Sequence, residues 1–277
     1  MKVSHEVPLC LMEESRSFND YDYALVHLFD KYPNYYQFFK DSLGMNREVI
    51  LDNSLYELGE SFDANKYYQW IKDLKPTYYI VPDTFWNSKR TIQQFNDWMD
   101  RYGREIKDLG IKCLAVAQGS TIDNVTDCYN IYKESGLVDK IGFTFKFHPN
   151  MAQSIFDDEF IKYMDKNLND ATRNANIRLK LLEELYKREV IGDIPIHLLG
   201  MQNTFGLNEL SQVTFIDSID TSNPVMFGWE YNEYDKDGNC LSEKPKTTVM
   251  DVFEDKYNEE QLVKIKNNID IFKQIIK

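Results

Sequence analysis

Short apolar runs alternate along the chain with longer segments whose apolar residues recur at helical spacing. The short runs are rich in Val, Ile, Phe and Tyr, which is typical of buried β-strands. They cover residues 6–11, 23–28, 48–51, 78–81, 112–117, 140–145, 194–199 and 214–216. Helical spacing predicts helices over residues 64–74, 88–109, 122–135, 158–188 and 258–275.

The alternation of strands and helices predicts parallel β–α units. Seven or eight such strands fit a closed (β/α)8 barrel of the TIM type, and 277 residues are an ordinary length for one such domain. An open, doubly wound sheet is the alternative fold. No glycine-rich GxGxxG segment follows the first strand, which weakens a dinucleotide-binding interpretation. We therefore expect a single α/β barrel domain over residues 1–277.

The composition is typical of a globular protein without a membrane anchor. A chain with 43% hydrophobic residues can bury a large core. Its apolar runs are far shorter than the roughly 20 residues that cross a bilayer. The N-terminal segment reaches Glu6 before any apolar stretch, unlike a secretory signal. We expect a cytoplasmic protein with no membrane partner.

Cysteine spacing and net charge narrow the kinds of site. Cys10, Cys113, Cys128 and Cys240 lie far apart, without the closely spaced ligands typical of zinc. Reduced thiols and no metal site are therefore expected. The net charge of −13 argues against a broad basic surface for nucleic acid, although it is compatible with a local basic patch.

Polar residues and glycines follow the apolar runs, at the strand ends where barrel enzymes keep their active sites. These residues are Asp52, Asp83, Gln118, Gly119, Gly200, Asp217 and Asp220. A single aspartate in such a place is equally typical of a helix cap or a turn. Four carboxyl groups and an amide on one rim instead favour chemistry at an anomeric carbon. There, a nucleophile and an acid/base partner act on a centre that develops positive charge.

Five short motifs occur in a characteristic order along the chain. They are DNSLYE at residues 52–57, PDT at 82–84, VAQGS at 116–120, HLLG at 197–200 and DSID at 217–220. In this order and spacing they resemble the tRNA-guanine transglycosylase superfamily, over roughly residues 48–224. The resemblance implies a (β/α)8 barrel that exchanges guanine for a 7-deazaguanine base through a covalent glycosyl-enzyme intermediate.

The resemblance assigns two catalytic carboxyl groups. Asp220, the second acid of DSID, matches the family's nucleophile, which attacks C1′ and expels guanine. Asp52 matches the general acid/base, which handles the proton of the departing or incoming base. Asp217 either acts as a further acid or orients the loop, and we count it among the substrate-binding candidates.

The resemblance also implies a set of base-binding residues. Asp83 and Gln118 match the carboxylate and the amide that read the polar edge of guanine. Tyr56 matches the aromatic residue that stacks on the base, and Leu199 matches the apolar residue on its other face. Gly142 matches a glycine whose backbone approaches the base. The remaining base-binding candidates are Gly119 and Gly200.

Departures from the family bear on the substrate. The usual Asp-Ser-Gly-Gly-Phe reads DNSLY at residues 52–56, and TSNP at 221–224 stands in place of Pro-Thr-Arg. The CxCxxC zinc cluster of the tRNA enzymes has no counterpart, so the chain is more similar to phage-type DNA-guanine transglycosylases, which would act in the host cytoplasm. We expect DNA rather than tRNA as substrate, a 7-deazaguanine such as preQ0, and no cofactor. The acidic charge leaves open a partner protein or a homodimer.

Three other functions compete with base exchange. Lys146, after the sixth predicted strand, would suit a Schiff-base aldolase if it were desolvated. Trp86 and Trp229 are available as sugar-stacking residues for a glycoside or N-glycoside hydrolase. A barrel that had lost its chemistry would serve as a non-catalytic nucleic-acid-binding subunit, although the presence of both Asp52 and Asp220 speaks against it.

Other polar residues are expected to be structural or exposed. His197 lies inside a predicted strand, which is typical of a hydrogen-bonded core histidine. The basic residues between 162 and 188 are typical of solvated helix faces. With DNA as substrate, that region and the loop containing Lys244 and Lys246 are the predicted phosphate contacts.

Overall fold

A computed structural model describes residues 1–201, 213–236, 238 and 245–276. Within these ranges eight strands form one sheet in which every neighbouring pair is parallel. The strands are β1 (Lys2–His5), β2 (Asp22–Leu25), β3 (Val49–Asp52), β4 (Tyr78–Ile80), β5 (Lys112–Val116), β6 (Lys140–Phe143), β7 (Ile196–Leu198) and β8 (Ile216–Thr221).

The eight strands form a nearly closed barrel. The strand order runs β1-β8-β7-β6-β5-β4-β3-β2, so strands that follow one another in the chain are also neighbours in the sheet. At the remaining seam, between β1 and β2, the backbone N–H of Asp20 donates to the carbonyl of Val3 at 2.9 Å. The predicted (β/α)8 barrel is confirmed, and the open-sheet alternative is wrong.

Helices connect the strands on the outside of the barrel. In the described ranges they are α1 (Met12–Phe18), α2 (Pro33–Gly44), α3 (Leu55–Leu58), α4 (Ala64–Leu74), α5 (Ser88–Trp98), α6 (Arg104–Asp108), α7 (Ile122–Ser135), α8 (Pro149–Ile155), α9 (Asp158–Asn167), α10 (Asp170–Lys187), α11 (Asn223–Trp229) and α12 (Glu259–Ile275). No helix within those ranges is both long and apolar enough to cross a bilayer.

Side-chain caps fix where several helices begin. Asp63 accepts a hydrogen bond from the backbone of Lys66 at the start of α4, and Thr121 caps α7 in the same way. Both helices have the predicted bounds. The predicted helix over 88–109 is interrupted by a π-helical turn at Met99–Gly103. The one over 158–188 is two helices, because Asn169 caps α10 two residues after α9 ends.

The first and last strands differ most from their predicted bounds. The first strand, β1, ends at His5, so the apolar run at 6–11 follows this strand and does not form it. Glu6 is the first residue after β1. β8 continues past the predicted run at 214–216, so Asp217 and Asp220 both lie inside it. Polar side chains of β8 are buried with hydrogen-bond partners, which an apolar pattern cannot reveal. Both differences change which acids reach the carboxyl end of the barrel.

Candidate active site

A cavity of about 700 Å³ opens at the carboxyl ends of the strands. Residues at or just after the ends of β3, β4, β5, β7 and β8 contribute to its wall. Of the sequence-predicted residues, Asp52, Tyr56, Asp83, Gln118, Leu199, Gly200 and Asp220 line it. The expected convergence of these groups on one rim is therefore present.

Asp220 is held in a fixed orientation in the cavity wall. The residue is only 3% exposed. Oδ1 lies 3.0 Å from Nε2 of His197, and Oδ2 accepts the backbone N–H of Gly200 at 3.0 Å. Each oxygen therefore has a partner from β7 or from the turn that follows it, and the side chain of Glu6 lies within hydrogen-bonding reach of the same carboxyl group.

His197 combines a core position with a contact to the predicted nucleophile. The side chain is completely buried, and Nδ1 lies 3.0 Å from Oγ of Ser218. Its ring stacks on Tyr23 with centroids 6.0 Å apart. The prediction of a hydrogen-bonded core histidine is confirmed. Its contact with Asp220 adds a positioning role that the sequence did not indicate.

Asp52 lies at the end of β3 and is also buried. The hydroxyl of Tyr23 donates to Oδ2 at 2.6 Å, and the backbone N–H of Ser54 donates to Oδ1. Burial raises the pKa of Asp52 well above its ordinary value, and the negative charge of Glu57 adds to the rise, while the two donors oppose it. Asp52 therefore holds a proton more readily than an ordinary aspartate does.

Asp83 and Gln118 form a directly bonded carboxyl–amide pair. Nε2 of Gln118 donates to Oδ2 of Asp83 at 2.8 Å, and Nδ2 of Asn53 donates to Oδ1 at 2.8 Å. The backbone N–H of Trp86 donates to Oε1 of Gln118 at 3.2 Å. Burial raises the pKa of Asp83 to about 6, against the effect of its amide donors. Each carboxyl oxygen retains a lone pair for a further donor.

Tyr56 and Leu199 supply apolar surface to the cavity. Tyr56 is 52% exposed, and its ring meets the edge of Phe145 at 5.1 Å between centroids. Leu199 is half-buried and packs against the core. An exposed aromatic ring and an aliphatic side chain in one cavity suit the two faces of a flat, aromatic ligand.

The three predicted glycines have different surroundings. Gly200 lines the cavity in a left-handed conformation (φ +58°) and donates to Asp220. Gly142 lies within β6, and a Cβ there would lie 2.8 Å from Cδ1 of Leu199. The absence of a side chain at Gly142 therefore leaves space for the side chain of Leu199. A Cβ on Gly119 would lie 2.7 Å from Asn124 of α7. Gly142 and Gly119 are not among the residues that line the cavity.

The expected position of Asp217 beside Asp220 is wrong. Asp217 lies near the start of β8, where its carboxylate pairs with Nζ of Lys140 at 2.7 Å. Lys140 is 1% exposed and also reaches Oγ of Ser218 at 3.2 Å. The charge of Lys140 lowers the pKa of Asp217, although burial opposes this effect. Asp217 lies three residues, or roughly 10 Å, before Asp220 along β8. Its carboxylate therefore lies towards the amino-terminal end of the barrel, away from the cavity.

Two further carboxyl groups line the cavity, Glu6 and Glu57. Burial raises the pKa of Glu6 well above its ordinary value, and the charge of Asp220 adds to this. Burial raises the pKa of Glu57 to about 7. The sequence interpretation missed Glu6 because the apolar pattern places the first strand too late in the chain. Glu57 belongs to the DNSLYE motif, but the resemblance assigns it no role.

Arg178 of α10 supports the turn that carries Gly200. It donates to the carbonyls of Leu199 at 2.8 Å and Gly200 at 2.9 Å. The side chain is buried, and burial lowers its pKa to about 10. Its expected place on a solvated helix face is therefore wrong. Arg178 acts on the site by fixing the backbone that holds Asp220.

The other predicted basic residues are mostly paired at the surface. Ion pairs join Arg173 to Asp165, Lys180 and Lys187 to Glu183 and Glu184, and Arg188 to Asp123. Lys146 and Lys246 line the cavity and Lys244 lies outside the described residues. Lys146 is exposed, so it lacks the desolvation that a Schiff-base lysine requires.

Tryptophan positions bear on the hydrolase alternative. Trp229 is buried in α11, and Trp86 donates its ring N–H to the carbonyl of Lys146. None of the four tryptophans of the chain, all within the described ranges, lines the cavity. The sugar-stacking role considered for Trp86 and Trp229 therefore has no support from their positions.

Neither a protein-family model nor a curated protein matches the chain. The resemblance to guanine transglycosylases rests on five short motifs spread over roughly residues 48–224. The side chains that these motifs contribute to the cavity are the structural basis for any function that the resemblance implies.

Proposed function

We propose that the protein exchanges guanine in a nucleic acid for a 7-deazaguanine base through a covalent intermediate on Asp220. The observation that carries this proposal is the composition of one cavity wall. It holds an oriented carboxyl group at Asp220, a second at Asp52, and the Asp83–Gln118 pair. Double displacement at an anomeric carbon requires a nucleophile and an acid/base group, here Asp220 and Asp52. Recognition of a purine edge uses the donor and acceptors of the Asp83–Gln118 pair.

In the first displacement, a carboxylate oxygen of Asp220 attacks C1′ of the nucleotide. The C1′–N9 bond breaks with its electron pair going to the base, and Asp52 supplies the proton that neutralises the leaving guanine. The raised pKa of Asp52 supports this donor role. The hydrogen bonds from His197 and Gly200 hold Asp220 in one orientation for the attack.

The second displacement reverses the first with a different base. N9 of the incoming 7-deazaguanine attacks C1′, the bond to Asp220 breaks, and the N9 proton returns to the acid/base group. Two inversions at C1′ give net retention of configuration.

Base recognition is assigned to other residues that line the same cavity. Asp83 accepts from ring and exocyclic N–H groups, and Gln118 donates its second amide N–H to the base carbonyl. Tyr56 and Leu199 cover the two faces of the ring. DNA is the preferred substrate and tRNA the alternative, following the resemblance to the phage-type enzymes. A base in a duplex must leave its stack to enter such a cavity.

The test is incubation of the protein with guanine-containing duplex DNA, and in parallel tRNA, together with preQ0. Mass spectrometry of the digested nucleosides should reveal the 7-deazaguanine nucleoside in DNA. D220N, which preserves shape but removes the nucleophile, should abolish both incorporation and the covalent adduct. Incorporation into tRNA alone would reassign the substrate. Guanine release without incorporation would indicate a hydrolase instead.

A further inference from the structure

Glu57 has a carboxyl oxygen that the fold leaves unpaired. It belongs to α3, five residues after Asp52, and it lines the cavity. Oε2 is buried, and within the described residues nothing hydrogen-bonds it. A buried polar atom without a partner costs roughly 1–3 kcal/mol, which a fold retains where a ligand or a reaction uses the atom.

Asp52 differs from Glu57 in this respect. Both of its oxygens already accept hydrogen bonds, one from the hydroxyl of Tyr23 and one from the backbone of Ser54. Each of these oxygens keeps one lone pair, so Asp52 is well oriented but has a smaller capacity to accept a further proton than an unbonded carboxyl oxygen has. The free oxygen of Glu57 offers that capacity in the same cavity.

Resting on the base exchange proposed above, we propose that Glu57 is a second proton-transfer residue, which accepts the N9 proton of the incoming base and returns it to Asp52. Asp52 first gives its proton to the departing guanine and becomes a carboxylate. The incoming base then loses its N9 proton to the carboxylate of Glu57 as its N9 electron pair forms the bond to C1′. The C1′–O bond breaks, its electrons return to Asp220, and proton transfer from Glu57 to Asp52 restores the starting state.

The surrounding charges favour one shared proton. Burial and the charge of Asp220 raise the pKa of Glu57 to about 7, and the charge of Glu57 in turn raises the pKa of Asp52. The two carboxyl groups oppose each other's ionisation, so loss of the proton from one favours its retention on the other. Among the described residues, the charged or titratable side chains that line the cavity around Glu57 are Glu6, Tyr23, Asp52, Tyr56, Asp83, Asp220, Lys146 and Lys246.

Separate measurement of the two half-reactions tests this role. Adduct formation and guanine release are followed on duplex DNA without an incoming base, and preQ0 is then added to consume the adduct. E57Q should form the adduct at about the wild-type rate but consume it about a hundredfold or more slowly. In the wild type, adduct consumption should slow as the pH falls below about 7, because protonated Glu57 cannot accept a proton.

The pH dependence separates proton transfer from a structural effect. E57Q should lose the dependence near pH 7, whereas E57D, which keeps a carboxyl group, should retain it at a lower rate. E60Q is the matched control, because Glu60 is exposed and does not line the cavity, and it should behave as the wild type. If E57Q consumed the adduct at the wild-type rate and with the wild-type pH dependence, the proposed role of Glu57 would be refuted. The base exchange itself would still stand. A wild-type protein that neither releases guanine nor forms an adduct overturns the base exchange and this role together.

Discussion

Nε2 of His197 lies 3.0 Å from Oδ1 of Asp220, across the neighbouring strands β7 and β8. The imidazole is anchored from behind by Oγ of Ser218, so it is not free to turn away. The backbone N–H of Gly200 holds the other oxygen of the same carboxyl group. Asp220 therefore reaches the cavity already oriented, and much of its proposed reactivity depends on these two neighbours.

Replacing His197 tests this orientation. H197F keeps the ring volume but removes both hydrogen bonds, so adduct formation should slow by about 10- to 100-fold, the equivalent of losing one hydrogen bond to a charged group. H197Q, whose amide can still reach Asp220, should retain more of the rate. Rapid-quench measurement of the adduct provides the comparison. Equal rates for H197F and the wild type would contradict the proposed role.

The pKa of Asp83, raised to about 6 by burial, predicts a pH dependence of base binding. Above pH 6 the carboxylate accepts N–H donors of guanine, and below it the protonated group has lost part of that capacity. Guanine binding should therefore weaken as the pH falls through 6. Calorimetric titration of D220N with guanine measures binding without chemistry. D220N carrying D83N should bind more weakly than D220N above pH 6, approach it below pH 6, and lose the pH dependence. A dependence that survives D83N would show that another group causes it.

The buried acids also predict how the free energy of unfolding varies with pH. The pKa of Glu57 is about 7 in the folded protein and ordinarily 4.5, so the folded state holds more protons between these values. Stability should accordingly decrease as the pH rises from about 4.5 to 7. The contribution of Glu57 is at most on the order of 3–4 kcal/mol, since a pKa difference of one unit corresponds to about 1.4 kcal/mol.

Urea unfolding of E57Q and the wild type at pH 5 and pH 8 measures this contribution. At pH 5 E57Q should be more stable than the wild type by about 1 kcal/mol at most, because Glu57 is still neutral in the folded protein but already partly ionised in the unfolded chain. At pH 8 E57Q should be more stable by the full contribution of Glu57. The free energy of unfolding of E60Q should equal that of the wild type at both pH values. If the difference between E57Q and the wild type were the same at both pH values, the expected cost of burying the Glu57 carboxylate would be contradicted.

The fold was predictable because barrel strands are buried on both faces and read as short apolar runs. The apolar runs identify β3 to β7, with ends shifted by at most a few residues. They misplace β1 and β8, because polar residues of these strands, such as His5 and Asp220, are buried in hydrogen-bonded pairs. No local pattern distinguishes such a strand from a polar loop.

The candidate site was predictable to the extent that strand ends were correct. Asp52, Asp83 and Gln118 followed from that rule, and the same rule would have found Glu6 with the correct end of β1. Arg178 had no such signal. It lies on a helix with charged neighbours, and only tertiary packing shows that it is buried against the turn after β7.

Gly200 provides a test of the backbone that holds Asp220. Its φ of +58° disfavours any residue with a Cβ, and a Cβ there would lie 2.4 Å from Cδ1 of Phe145. G200A should therefore destabilise the protein by roughly 1–3 kcal/mol and slow adduct formation, because its N–H can no longer keep its place beside Asp220.

G44A is the matched control for this substitution. Gly44 ends α2 and is exposed, and a Cβ added there would have no neighbour within 4 Å, so alanine should leave adduct formation unchanged. Stability should be equal to the wild type or higher by up to about 1 kcal/mol. Thermal unfolding and adduct kinetics of both variants give the comparison. If G200A matched G44A in both measurements, the turn at Gly200 would tolerate a Cβ, and its N–H would not be needed to orient Asp220.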